Sequence, residues 1–125
     1  MSSFKPAIQS FVPVIGLALV GSGTYGIIKP LHMAHIFGIT AAGKSETVFY
    51  PGLAVRNLSA GLAVLSLWNQ KQYKSLGSFL LCWILVGLVD TNICLTNGPN
   101  VKSTWIHVMN TGILSVVSTG LLDWW

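Results

Sequence analysis

Four long apolar stretches dominate this chain and leave little sequence for anything else. They cover residues 8–28, 48–68, 76–95 and 101–122. Each stretch is about 20 residues long, which is the length that an α-helix needs to cross about 30 Å of hydrocarbon. The four stretches occupy most of the 125 residues, so they predict a single all-α membrane domain over residues 1–125.

The composition also favours a chain surrounded by lipid. Only 8% of the residues are charged and 52% are hydrophobic, whereas a soluble domain carries about 25% charged residues. Buried helices of a soluble protein are an alternative, but four such stretches are too many for so short a chain. A signal peptide would account for the first stretch alone, and its apolar core is usually shorter, at about 7–15 residues.

The connections between the stretches predict an up-down four-helix bundle. Lys29-Pro30 is expected to end the first helix, because proline disfavours helical geometry in the residue before it. Asn97-Gly98-Pro99 is expected to end the third helix. Short turns make neighbouring helices antiparallel. An even number of spans then places both termini on one membrane face, and the long loop over residues 29–47 on the other.

That loop contains a segment that mixes apolar residues with two histidines. Residues 31–39 include His32 and His35 among leucine, isoleucine and phenylalanine. The segment is expected to be either a short interfacial helix over the mouth of the bundle or a plain linker. No third ligand follows the two histidines at a clear spacing, so no metal site is predicted.

The net charge of +4 comes from scattered residues and not from a basic surface. Nucleic-acid binding is therefore not expected. Three lysines fall near each membrane face, so the positive-inside rule does not determine the orientation. No flavin, nicotinamide or iron–sulfur motif occurs, and no cofactor is predicted.

Three ionisable residues interrupt three different apolar stretches at one depth. Arg56 lies about eight residues into the second stretch, Asp90 about six before the end of the third, and His107 about six into the fourth. With alternating directions, all three lie about 8–12 Å below the face that carries the 29–47 loop. An ionisable residue within a membrane is costly, so it indicates a functional site by default.

Helical spacing extends this cluster. Asn110 and Thr111 follow His107 by three and four positions and share its helix face. Cys94 lies one turn after Asp90, and Tyr25 reaches a similar level on the first helix. These four residues are the predicted substrate-binding residues, and Arg56, Asp90 and His107 are the predicted catalytic residues.

Two interpretations of the cluster remain open. In the first, Arg56 and Asp90 form an ion pair that fixes the helix register, and His107 adds a hydrogen bond. In the second, the cluster lines a small polar pocket. Asp90 or His107 would then act as general acid or base, and Arg56 would hold an oxygen of the bound molecule.

These residues resemble a family of small four-helix membrane proteins with a domain of unknown function that is frequent in fungi. The resemblance rests on the run from Tyr50 to Gly61 with Arg56 within it, then Asp90, Asn97-Gly98 and His107. The family often has aspartate after the arginine, where this chain has Asn57.

The resemblance implies a place in secondary-metabolite biosynthesis, beside a membrane-bound oxidase such as a cytochrome P450 or a second small membrane protein. We therefore expect an integral membrane protein of the endoplasmic reticulum that binds a lipophilic intermediate and assists its cyclisation or isomerisation. The alternative is a non-catalytic scaffold that stabilises the oxidase. A small carrier is a third class, although the chain lacks the repeats typical of transporters.

Overall fold

The computed structural model describes residues 4–40, 42–97 and 101–125, and these residues form an all-α fold. The helices in this part of the chain are α1 (Lys5–Ile28), α2 (Pro30–Phe37), α3 (Tyr50–Asn69), α4 (Tyr73–Asn97) and α5 (Val101–Leu121). Each of the four predicted stretches therefore corresponds to one long helix. The turn expected at Gly98 and Pro99 lies outside the described residues.

The short helix α2 lies where either an interfacial helix or a plain linker was expected. Pro30 occupies its first turn, where a missing backbone N–H leaves no hydrogen bond unmade. Gly38 ends the helix with φ of +123°, a value that side chains disfavour, and its N–H donates to the Ala34 carbonyl at 3.2 Å. The helical interpretation is therefore the correct one.

The long helices associate as two antiparallel pairs, α1 with α3 and α4 with α5. Small residues allow the backbones to approach closely. A Cβ atom built on Gly23 would lie 2.3 Å from the backbone nitrogen of Leu58, and one on Gly61 would lie 2.6 Å from the Gly16 carbonyl. In the second pair, a Cβ on Gly77 would lie 3.1 Å from the Ser118 carbonyl.

The apolar core lies at the end of the fold that carries both termini, here called the terminal end. Lys5 Nζ is 2.6 Å from Asp123 Oδ1, and the Trp68 indole N–H donates to the Gln9 carbonyl at 2.8 Å. These contacts join the beginning of α1 to the end of α3 and to the residues that follow α5. The buried core cluster consists of Val12, Val64, Leu76, Leu80, Leu114, Val117 and Leu121. The opposite end, here called the α2 end, is covered by α2.

Two of the long helices, α1 and α4, are long and apolar enough to cross a membrane by length and composition. Only 22% of the most apolar window of α1 and 17% of that of α4 is buried, unlike a core helix of a soluble protein. Helices α3 and α5 have 20 and 21 residues, a comparable length, but they are less apolar. The lower hydropathy of α3 and α5 comes from polar residues such as Arg56, His107 and Asn110.

Candidate functional site

A cavity of about 430 Å³ lies between the two helix pairs and receives side chains from all five helices. This volume falls within the range of about 300–1,000 Å³ that is typical of small-molecule sites. Most of the wall is apolar. Its polar side chains are Ser22, Tyr50, Arg56, Asn57, Asp90, Ser103, His107, Asn110 and Thr111. The three predicted catalytic residues therefore line one space.

Arg56 and Asp90 form an ion pair in the wall of this cavity. The Arg56 Nη2 atom donates to Asp90 Oδ1 at 3.4 Å and to Oδ2 at 3.3 Å. The Asp90 side chain is 10% exposed and that of Arg56 is 28% exposed. The proximity predicted from their shared depth is confirmed. Both distances exceed the 2.7–2.9 Å that is usual for charge-assisted hydrogen bonds, so the pair is loosely held.

A second contact holds the guanidinium from another side. The Arg56 Cζ atom lies 5.9 Å from the centroid of the Trp83 ring, within the range of a cation–π interaction. The Arg56 Nε atom is buried and has no hydrogen-bond partner among the described residues. A buried donor without a partner costs about 1–3 kcal/mol.

His107 is oriented by the backbone at the end of α2. Its Nε2 atom lies 3.0 Å from the Phe37 carbonyl oxygen, and the centroids of the His107 and Phe37 rings lie 4.5 Å apart. A carbonyl oxygen only accepts hydrogen bonds, so Nε2 carries the hydrogen. In the neutral ring, Nδ1 then keeps its lone pair and is the nitrogen able to accept a proton.

The Phe37 carbonyl also fixes α2 over the cavity. The Cys94 thiol donates to the same oxygen at 3.1 Å, so α4 and α5 both bind the end of α2. The next residue, Gly38, is packed tightly, because a Cβ atom there would lie 2.9 Å from Ser103 Cβ. Cys94 is buried by these contacts and does not line the cavity. Its observed position anchors α2.

The other predicted substrate-binding residues divide into two groups. Asn110 and Thr111 line the cavity, although the Thr111 hydroxyl donates to the His107 carbonyl of its own helix at 2.8 Å. Tyr25 does not line the cavity. Its hydroxyl instead forms a hydrogen bond with His32 Nδ1 on the outside of the α1–α2 corner.

Asn57, Trp83 and Phe37 are among the cavity residues that were not predicted as site residues. Asn57 directly follows Arg56 and lines the same wall. Trp83 precedes Asp90 by seven positions, or two helical turns, so it lies on the same face of α4. A tryptophan in the middle of a span on that face could have identified it as a cavity residue. Phe37 contributes through its position at the end of α2, and no local sequence pattern identified that contact.

The arrangement provides groups for binding an oxygen atom and moving a proton. Arg56 supplies hydrogen-bond donors, His107 supplies a base with a fixed tautomer, and Asp90 supplies a carboxylate. Among the described residues, no three His, Cys, Asp or Glu side chains are grouped so that they could hold a metal ion.

Residues 16–122 match the family model described as "Domain of unknown function (DUF4267)". The chain belongs to this family. The resemblance to a small family of unknown function is therefore confirmed, and Arg56, Asp90 and His107 all lie within the DUF4267 region. No curated protein and no solved structure that was compared with the chain matches it.

Proposed function

We propose that this DUF4267 protein crosses the bilayer with all four long helices and binds a lipophilic molecule with an oxygen-bearing end. In this proposal the cavity holds the molecule and assists its cyclisation or isomerisation by proton transfer. The membrane is expected to be that of the endoplasmic reticulum.

The apolar outer surface of the long helices supports the four-span arrangement. Large apolar side chains point outward from each long helix: Val14 and Leu17 from α1, Leu62 from α3, Leu85 and Leu88 from α4, and Met109 and Val116 from α5. Soluble monomers rarely expose apolar patches larger than a few hundred Å². Arg56 and Asp90 line the cavity, so their charges are turned away from the lipid.

The observation that carries the proposed binding function is a polar cluster within a mostly apolar cavity. A ligand site typically combines apolar walls with a few convergent polar groups that fix the orientation of the ligand. The Arg56–Asp90 pair is loose, which leaves guanidinium donor capacity for a ligand oxygen.

The chemistry follows from the groups around that oxygen. Isomerisation and ring closure conserve the oxidation state, and each needs a proton removed at one atom and returned at another. Arg56 would hold the oxygen and stabilise negative charge that develops on it. His107 Nδ1 or the Asp90 carboxylate would accept the proton and return it.

A scaffold that stabilises a membrane oxidase, such as a cytochrome P450, is the second candidate. It is favoured by the outer face of α5, where a Cβ on Gly112 would meet no atom within 4 Å. Met109 and Val116 flank this position and are 62% and 56% exposed. A partner helix could approach closely at such a site.

One experiment separates the two candidates. The protein is purified from membranes in mild detergent, and both the retained lipophilic molecule and any retained protein are identified by mass spectrometry. The retained molecule is then incubated with the parent protein and with His107→Ala. If the protein is an enzyme, we expect the variant to lose about 10²–10⁴-fold in product formation, while Met109→Ala, on the outer face of the same helix, stays active.

The scaffold requires the opposite pattern. Gly112→Leu would release the partner oxidase, and His107→Ala would leave the oxidase turnover unchanged. Gly112 faces open space, so this leucine disturbs no contact within the chain. If His107→Ala forms product fully and Gly112→Leu loses the partner oxidase, the enzyme proposal is wrong and the scaffold proposal is supported.

A further inference from the structure

We infer that the cavity opens sideways between α1 and α5, and that its ligand is a long-chain molecule with an uncharged oxygen at one end. The oxygen binds at Arg56, and the apolar chain passes through this opening into the bilayer. The inference rests on the proposed function, since it assigns a ligand class to the same cavity.

The opening, here called the lateral gap, is framed by residues that both line the cavity and remain exposed. On α1 these are Phe11 and Val14, which are 42% and 55% exposed. On α5 they are Ile106 and Ile113, which are 46% and 39% exposed. Side chains that contact both the cavity and the outer surface mark a place where the wall is incomplete.

The packing of the helices leaves room for a gap on either side of the cavity, and the exposed lining residues place it between α1 and α5. Close contact is concentrated within the pairs α1–α3 and α4–α5, and the contacts of α1 with α5 and of α3 with α4 are equally sparse. The contact between the pairs is strongest at the terminal end, where the apolar core lies. Towards the α2 end the pairs enclose the cavity, and α1 and α5 do not close its side.

The lateral gap reaches deeper into the fold than the polar cluster, since Ile106 lies beside His107 and Ile113 lies further from the α2 end. Gly23 packs beside Ala54 and Leu58, so it marks the level of Arg56 on α1. Ala18 lines the cavity five residues earlier, or about 7.5 Å further into the fold. Ile113 follows His107 by six residues, or about 9 Å. A ligand with its oxygen at Arg56 would therefore extend its chain towards the gap.

The charges at the site determine the kind of oxygen. Arg56 is already paired with one carboxylate, that of Asp90, so the pair is neutral as a whole. A carboxylate or phosphate ligand would place a second negative charge beside Asp90, whereas a ketone, aldehyde or alcohol would not. The apolar chain of the ligand needs no closed pocket, because the hydrocarbon outside the gap is as apolar as the cavity wall.

Two methyl ketones that differ only in chain length test this inference: the short methyl hexyl ketone and the long methyl octadecyl ketone. Each is equilibrated with nanodiscs that contain the protein, and the uptake by empty nanodiscs is subtracted. We expect the two affinities, corrected for partition into the bilayer, to agree within about tenfold. A closed cavity would bind the short ketone and exclude the long one.

Variants at the gap provide the second measurement. Ala18→Trp and Ile113→Trp place a large ring in the opening, below the level of Arg56, and should exclude the long ketone while the short one still binds. Leu17→Trp and Val116→Trp are controls, because both positions are exposed and neither lines the cavity. They should bind both ketones as the parent does.

The outcomes distinguish the inference from the proposed function. If the parent binds neither ketone, the proposed binding function fails, and the inference fails with it. If the parent binds only the short ketone, or if both gap variants still bind the long one, the inference of a lateral gap is wrong. The proposed binding function is then unaffected.

Discussion

At the scale of single residues, the geometry of the Arg56–Asp90 pair determines how many hydrogen-bond donors remain for a ligand. Its long hydrogen bonds leave part of the guanidinium unsatisfied, and Trp83 provides a contact that does not depend on Asp90. A tight bidentate pair would stabilise the helix register better but would leave less donor capacity for a bound oxygen. This geometry is the one that the proposed binding function requires.

Asp90→Ala tests how much the pair stabilises the fold. Removal of one partner of a buried pair costs about 3–5 kcal/mol, because it leaves an uncompensated charge. We expect a value of about 3 kcal/mol, since the hydrogen bonds are long and Trp83 still contacts the guanidinium. The measurement is the free energy of unfolding in detergent, and the control is the double variant Arg56→Met with Asp90→Leu.

That double variant removes both charges and should regain most of the lost stability, since an ion pair can often be replaced by apolar residues without loss. If Asp90→Ala is as stable as the parent, the Arg56 charge is not buried and the description of the site is wrong.

Asp123 gives the fold a dependence on pH. Hydrogen bonds from Lys5 and then Lys74 hold the pKa of the Asp123 carboxyl below its ordinary value of 3.8. The unfolded chain therefore takes up a proton before the folded chain does as the pH falls. The stabilisation is complete above pH 3.8 and is lost as the pH falls through the lower pKa of the folded state.

The melting temperature, measured from neutral pH to well below 3.8, should therefore decrease less in Asp123→Asn than in the parent. Asparagine cannot titrate, so the variant lacks this contribution at every pH. Identical acid sensitivity of the two proteins would show that the Lys5 and Lys74 contacts do not stabilise the folded state.

The sequence predicts the site only as far as helical periodicity and depth reach. Arg56, Asp90 and His107 follow from the alternating directions of the helices, because depth depends only on the position within each stretch. The contacts of Phe37 and Cys94 depend on how α2 folds back over the cavity. Tyr25 was placed at the correct depth but on the wrong side of its helix, since a uniformly apolar helix gives no clear inner face.

At the scale of helices, the length of the apolar stretches predicts the four long elements, but not which helices form close pairs. The first helix, for example, was expected to begin at residue 8, and α1 begins at Lys5. The pairing of α1 with α3 depends on the direction in which Gly16, Gly23 and Gly61 face, and this is a tertiary property. Small residues indicate close packing without indicating the partner.

Gly23→Ala should separate α1 from α3. The added Cβ would lie 2.3 Å from the backbone nitrogen of Leu58, and backbone atoms cannot move aside as a flexible side chain can. We expect a loss of about 1–3 kcal/mol in the free energy of unfolding, as for other overpacked positions. The cavity wall should be disturbed as well, since Arg56 lies on the same part of α3.

Gly21→Ala is the matched control, because it lies on the same helix and its Cβ would meet no atom within 4 Å. It should leave stability unchanged or raise it slightly, since alanine favours the helix by about 0.5–1 kcal/mol over glycine. Equal stability of the two variants would contradict the close α1–α3 contact.

At the scale of the whole molecule, the four-span arrangement predicts which lysines share a membrane face. Lys5, Lys71 and Lys74 belong to the terminal end, and Lys29, Lys44 and Lys102 to the α2 end. A membrane-impermeant amine reagent added to sealed vesicles should label one set, and the other set should react only after the vesicles are opened.

The decisive pair is Lys44 and Lys71, which lie on either side of α3. If α3 crosses the bilayer, the two lysines are labelled from opposite faces. If both are labelled from the same face, α3 does not cross, and the four-span arrangement is wrong even if α1 and α4 do cross.

The central claim is that Arg56 donates to the oxygen of a lipophilic ligand inside the cavity. The most direct test is the infrared carbonyl stretch of methyl hexyl ketone bound to the protein in nanodiscs, compared with the same ketone in empty discs. A hydrogen bond from the guanidinium should lower the stretching frequency, and Arg56→Met should abolish this shift. A frequency equal to that in empty discs, or a shift that remains in Arg56→Met, would contradict the claim.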